Sequence, residues 1–335
     1  MFRDPPYPTV LKPYGQALVE LATSRDDIVC LSGDLTRQCE VDLFQEQLPD
    51  RFINVGMAEA HMMSMAGALA RKGHVPFVHT FGVFATRRPF DQVVNSIAYP
   101  NLPVKMIGFM PGISSPGGPS HQAIEDVALM RALPNMTVID VADATEIRQV
   151  VPAIADLPGP VYLRLKRGEI PVIFDESHEF SLTQAQRLTD GTDAAIIANG
   201  MMLPAALAAA TALAGAGVQA SVVNVPVIKP LDTATIGDAI RPVRAVVTAE
   251  NHTVVGGLGS AVAEAMAESG SAAKLRRVGI DDTFAEGART TPWLFKTYGL
   301  TAQRIVDAVW RTLGEADPSP TAAVIASSEG EYAPV

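Results

Sequence analysis

Two hydrophobic periods alternate along most of this sequence, and no other feature narrows its fold so far. From about Pro13 to Lys166 the β-rich runs DIVCLSG, RFINV, VPFVHT, LPVKMIGF, MTVIDV and VYLRL are separated by segments with apolar residues at helical spacing. Strands that take turns with helices predict a parallel sheet covered by helices on both faces. A second alternation starts at DAAIIAN and runs through the helical LPAALAAATALAGAG, the strands QASVVNVPV and RAVVTAE, the helix GLGSAVAEAMAES and the strand KLRRVGI. The expected fold class is α/β, with two doubly wound domains.

The boundary falls in the mostly polar stretch from Glu169 to Gly191, whose only apolar run is Val172-Ile173-Phe174. Domains over 1–175 and 191–314 are expected, joined by a linker at 176–190. After Leu313 the sequence turns to Glu, Pro, Ser and Ala without a periodic apolar face, which predicts a disordered tail over 315–335.

Composition removes several function classes. Over 335 residues the chain is 48% hydrophobic and 19% charged, a balance that supports packed interiors. A formal net charge of −10 offers no basic face to nucleic acid. Cys30 and Cys39 are the only cysteines, too few for a disulfide framework or a thiolate metal site, so both are read as structural free thiols. The N-terminal MFRDPPYPTVLKPYG has no apolar signal core, and apolar stretches break well before the roughly 20 residues of a membrane span, so a cytoplasmic protein without membrane contact is expected. No Gly-x-Gly-x-x-Gly turn and no P-loop is present, so a nucleotide fingerprint is missing. Gly256-Gly257-Leu258-Gly259-Ser260 lacks the P-loop lysine and is read as tight strand-to-helix packing.

Within Asn54-Val55-Gly56-Met57-Ala58-Glu59-Ala60-His61-Met62, a strand gives way to a helix and Glu59 falls in its first turn. Taken alone, such a carboxylate does no more than complement the helix N-terminus. The following sequence, VPFVHTFGVFATRRPFDQVVNSIAYPNLPVKMIGFMPGISSPGGPSHQAIEDVALMRALPNMTVIDVADATE, resembles the pyrimidine-binding domain of the transketolase family in its motifs and their order. The second half resembles the transketolase C-terminal domain. The resemblance runs from Pro13 to Leu313, and its joint pattern of GMAE, HTF, SHQ, LPNM and GGLGS is more specific than any single motif.

The resemblance implies a thiamin diphosphate enzyme. The sequence begins where the family's diphosphate-binding domain would end and lacks that domain's Gly-Asp-Gly…Asn metal motif, which implies the C-terminal subunit of a split transketolase. A separate N-terminal subunit would then hold the diphosphate and its Mg²⁺, in an α2β2 assembly. Glu59 matches the glutamate that hydrogen-bonds the aminopyrimidine and helps its exocyclic amine act as a base. Phe81 and Phe84 match the aromatic wall against that ring, and Asp34, at the end of the first strand, matches an aspartate near the thiazolium. His121, in Gly118-Pro119-Ser120-His121-Gln122, matches a histidine that contacts substrate hydroxyls around the reacting carbonyl. Arg167 matches an arginine that grips the sugar phosphate, with Lys12 as a second phosphate contact. No metal ligand is expected on this chain.

Each residue also has a plainer reading. Phe81 and Phe84 are also core phenylalanines, Asp34 a turn or N-cap residue, His121 a surface loop histidine, and Arg164, Lys166 and Arg167 a solvated basic strand end.

Two departures bear on substrate choice. Met110 stands where transketolases place a histidine near substrate phosphate, and Pro116-Gly117-Gly118 replaces the usual Gly-Glu-Asp-Gly. The absent aspartate normally reads a hydroxyl beside the carbonyl, so altered sugar preference follows. A specialised ketose such as apulose 4-phosphate stands beside ordinary transketolase substrates. The β subunit of a 2-oxo-acid dehydrogenase is a rival reading that the Ser-His-Gln and Leu-Pro-Asn-Met contexts disfavour. A non-catalytic scaffold is another, disfavoured by the presence of Glu59, Phe81, Phe84 and His121 together.

Overall fold

The computed structural model describes residues 1–314, so the tail expected over 315–335 lies outside the described residues. Its strands are β1 (Thr9–Leu11), β2 (Ile28–Ser32), β3 (Phe52–Asn54), β4 (Val75–Phe81), β5 (Lys105–Phe109), β6 (Thr137–Asp140), β7 (Val161–Leu165), β8 (Glu169–Pro171), β9 (Gln186–Thr189), β10 (Ala194–Ala198), β11 (Ala220–Asn224), β12 (Val227–Lys229), β13 (Ala245–Thr253) and β14 (Lys274–Ile280). A seven-stranded sheet has the order β12-β6-β7-β5-β4-β2-β3, and a five-stranded sheet the order β14-β13-β10-β11-β9. Strands β2 to β7 are mutually parallel, as are β10, β11, β13 and β14.

The inner strands of the first sheet have two faces to bury. Ile28 and Cys30 point into one layer with helices Pro13–Ser24 and Ala144–Ala155, while Val29 and Leu31 point into the other with helix Glu59–Arg71. In the second sheet Ala194, Ile196 and Ala198 pack on helices Leu203–Gly215 and Ala302–Leu313. There Ala195 and Ile197 pack on helices Thr233–Ile240 and Leu258–Ser269. Helices on both faces of two parallel-dominated sheets give the expected α/β class. Both cysteines are buried free thiols.

The run QASVVNVPV, expected as one strand, is two. Pro226 has no N–H for the ladder, and the chain leaves the second sheet there. β12 then pairs antiparallel with β6 of the first sheet, and the Pro226 carbonyl accepts the Asp140 amide at 2.8 Å. The two domains are thereby stitched by backbone. Strand β9 lies inside the stretch read as a linker, as an antiparallel edge on β11. Strands β1 and β8 pair with each other, which carries Lys12 next to the segment that holds Arg167.

Gly256–Ser260 opens helix Leu258–Ser269, and the Glu250 carboxylate accepts the Leu258 and Gly259 amides at 2.7 and 2.8 Å. A Cβ at Gly257 would meet Glu250 Oε2 at 1.9 Å. The chain's own carboxylate therefore takes the place that a phosphate would occupy in a nucleotide loop.

Candidate active site

Neighbouring strands bring Asp34 and Glu59 to the same edge. β2 and β3 are adjacent and parallel, so the turns after their C-terminal ends lie side by side. Asn54 joins them: its Oδ1 accepts the Gly56 amide at 3.0 Å and its Nδ2 donates to Asp34 Oδ1 at 3.3 Å. Gly56, at φ 74°, lets the chain turn into the helix that starts at Glu59. Asp34 is exposed, whereas the Glu59 side chain is only 5% exposed and accepts one hydrogen bond from Arg88 Nη1 at 2.7 Å.

Phe81 ends β4, and Phe84 lies in the short helix Gly82–Thr86 that follows. Their rings are 5.9 Å apart and nearly parallel, at 22°. The Arg88 guanidinium lies over the Phe84 ring, 4.2 Å from its centroid. The His121 ring approaches Phe84 edge-on at 5.2 Å and 72°, and Phe81 at 6.4 Å and 63°. The structure thus gathers Glu59, Phe81, Phe84 and His121 around one aromatic pair, with Arg88 as the link between carboxylate and ring.

His121 is held by contacts that sequence reasoning missed. Arg87 donates to the carbonyls of Pro119 at 2.7 Å and Gln122 at 3.0 Å and pairs with Glu125, so one guanidinium pins both sides of the histidine. Ser120 Oγ lies 2.9 Å from His121 Nδ1. The one signal for Arg88 in the sequence is its spacing: a cation four residues after Phe84, across one helical turn, reaches the ring. Nothing comparable marks Arg87, whose partners, two backbone carbonyls and the Glu125 carboxylate, lie more than thirty residues away.

Gly117 and Met110, the two departures, have defined surroundings. A Cβ at Gly117 would lie 2.7 Å from the Cβ and Cγ of His121, so the imidazole folds over the very position that is glycine. Any larger residue there displaces His121. Met110, at φ 58°, follows β5 and packs partly buried against the first domain's core.

Lys12 and Arg167 form a separate group. Lys12 Nζ is held by Asp42 Oδ2 at 2.5 Å. Arg167 is exposed, and among the described residues no hydrogen bond or ion pair engages its guanidinium. Beside them the buried Glu40 carboxylate accepts the Tyr14 and Gly15 amides, both at 3.1 Å, and burial raises it to about 7. It is a helix cap. Among the described residues no cluster of three or more His, Cys, Asp or Glu side chains could hold a metal ion, and no helix is long and apolar enough to cross a membrane.

The donor set fits an aminopyrimidine. A carboxyl at the edge of an aromatic face can share a proton with a ring nitrogen of a heterocycle stacked on that face, and Arg88 already lays a planar group between Glu59 and Phe84.

Residues 7–172 match the transketolase pyrimidine-binding domain, and residues 183–305 match the transketolase C-terminal domain. An uncharacterised transketolase family protein of Sinorhizobium fredii is 45% identical over 311 residues, spanning 92% of this chain and 90% of its own. The chain belongs to the transketolase family. A second relative, the 6-deoxy-6-sulfo-D-fructose transketolase subunit SqwH of Clostridium sp., is 45% identical over 296 residues, 88% of this chain and 91% of its own. Among solved structures, a split gene transketolase in an inactive β4 tetramer has a TM-score of 0.84 at 42% identity, covering 90% of this chain and 97% of that one. As a transketolase-family subunit the chain is broadly a transferase.

Proposed function

We propose that this chain is the pyrimidine-binding subunit of a two-subunit transketolase, with domains over 1–175 and 191–314. It acts in the cytoplasm, where two buried free thiols are at home. The carrying observation is the buried Glu59 carboxylate at the edge of the Phe84 face, met by a stacked planar N–H donor. A partner subunit supplies the diphosphate and Mg²⁺ site, in an α2β2 assembly. The word subunit in the name of SqwH and the words split gene in that of the solved transketolase support a partner chain.

Bound thiamin diphosphate would supply a nucleophilic carbon for moving a two-carbon ketol unit from a ketose to an acceptor. The protein's own part is positioning and proton handling. Glu59 would share a proton with a ring nitrogen of the aminopyrimidine, Phe81 and Phe84 would wall that ring and exclude water, and Asp34 would contact the thiazolium part. His121, with Nδ1 engaged by Ser120, keeps Nε2 for substrate hydroxyls. Arg167 is the freer cation for the sugar's terminal anion, since Lys12 is committed to Asp42 and can act only as a second contact. With Gly117 under His121 and Met110 after β5, the sugar is a specialised ketose, apulose 4-phosphate or a sulfonated ketose being the first to try.

The test is Glu59→Gln in the reconstituted pair. It keeps shape and removes the ionisable partner, so ketol transfer should fall about 10²–10⁴-fold while the melting temperature holds. Near-normal turnover would end this assignment.

A further inference from the structure

The loop from Met110 to His121 is built by both domains. Asn251, on β13 of the second sheet, accepts the Ile113 amide with Oδ1 at 3.0 Å and donates Nδ2 to the Pro111 carbonyl at 3.0 Å. One side chain thus replaces two backbone partners across the turn. Gly112, at φ 56°, sits so close that a Cβ would meet Asn251 Oδ1 at 2.1 Å. Arg164 of the first sheet holds Asn251 in turn, donating to its carbonyl at 2.9 Å.

The loop's middle is fixed by a second segment of the same domain. The Ala288 amide donates to the Pro116 carbonyl at 2.7 Å, and Thr291 Oγ1 donates to the Ser114 carbonyl at 3.2 Å. Gln122 bridges to the Glu286 carbonyl at 3.2 Å, and a Cβ at Gly118 would meet Gly287 Cα at 3.1 Å. Ile113 has no exposed surface and belongs to the core that covers the second sheet. The tip of the loop is therefore planted in one domain while its end, His121, lies on the Phe81 and Phe84 rings of the other.

We propose that Asn251 is a positioning residue for sugar selection: the C-terminal domain, through Asn251 and Thr291, sets the loop that carries Met110, Gly117 and His121. This rests on the reading that His121 meets substrate. A buried hydrogen-bonding group that holds two backbone atoms leaves both unsatisfied when it is removed, so the turn relaxes and substrate contacts shift. Glu59, Phe81 and Phe84 make none of these contacts to the second domain and meet the loop only through His121, so cofactor binding should change least.

The experiment compares the wild-type pair with Asn251→Ala, and with the milder Thr291→Val where Asn251→Ala fails to fold. Two ketose phosphates of different hydroxyl pattern serve as donors, and thiamin diphosphate binding is titrated in parallel. The ratio of kcat/KM between donors should move about tenfold for Asn251→Ala and about threefold, in the same direction, for Thr291→Val. The change should fall mainly in KM, with thiamin diphosphate affinity held within about twofold. Equal loss on both donors, an unmoved ratio, or a matching loss of cofactor affinity would overturn the proposal with the functional reading intact. A wild-type pair that binds thiamin diphosphate but transfers no ketol unit overturns the functional reading, and this inference with it.

Discussion

Two arginine–carboxylate clusters stand on the same seven-stranded sheet and do opposite things. Arg164 has no exposed surface. It donates to Asp126 at 2.9 and 3.2 Å, to Asp140 at 2.5 Å and to the Asn251 carbonyl at 2.9 Å, while the Tyr162 hydroxyl also donates to Asp126 at 2.7 Å. Arg88, with its side chain 54% exposed, makes one bond to Glu59 and rests on Phe84. The first cluster has spent its hydrogen-bonding capacity inside the protein and acts as a strut between domains. The second keeps an aromatic face and a carboxylate edge within reach of a ligand. Burial with full satisfaction makes structure, and partial exposure with capacity left over makes a site.

The comparison breaks first at Arg164. Arg164→Met leaves Asp126 and Asp140 buried without their cation, which should cost about 3–5 kcal/mol in a urea melt. A loss under about 1 kcal/mol would place this cluster with the surface pairs.

Next comes the pH response of the buried side. Burial raises the Glu250 carboxyl to about 7 from an ordinary 4.5, against the pull of two backbone N–H groups. Between those values the folded state keeps a proton that the unfolded state has released. Its contribution is therefore full below 4.5 and is lost as pH rises through 7. Neighbouring His252, lowered by burial to about 4, works in the opposite sense, so the slope of wild type alone mixes the two. Glu250→Gln should remove a part worth about 2–3 kcal/mol of the stability change between pH 5 and pH 7.5. An unchanged slope would show that Glu250 stays ionised throughout.

The smallest effect is expected on the open side. Arg88 holds both the Glu59 oxygen and the Phe84 face, and a half-exposed pair of this kind is worth about 1 kcal/mol at most. Arg88→Met should therefore tighten thiamin diphosphate binding by about two- to fivefold in the assembled pair. Weaker binding would make Arg88 a partner of the cofactor and not a competitor for its place.

Much of the fold was legible because the runs that became β2 and β4 to β7 are almost wholly buried and mostly apolar on both faces, as a sheet covered by helices on both sides requires. β1 and β8 escaped notice because three residues carry no period, and Pro226 hid the transfer of Val227–Lys229 to the other sheet. Of the site, the residues carried by the family resemblance, Glu59, Phe81, Phe84 and His121, come together in space. Arg87 and Arg88 went unread in ATRRPF, because their roles depend on a helical turn and on a loop that closes from Pro119 to Gln122. Asn251 had no signal at all, since the backbone groups its side chain holds lie in the other domain.

The most direct measurement is ketol transfer by the purified chain alone and with the neighbouring N-terminal subunit. Thiamin diphosphate and Mg²⁺ are added, with xylulose 5-phosphate, apulose 4-phosphate and 6-deoxy-6-sulfofructose as donors. A split transketolase predicts transfer only when both chains are present, with one donor strongly preferred. Carbon dioxide release from 2-oxo acids by the same pair, or no binding of thiamin diphosphate at all, would contradict it.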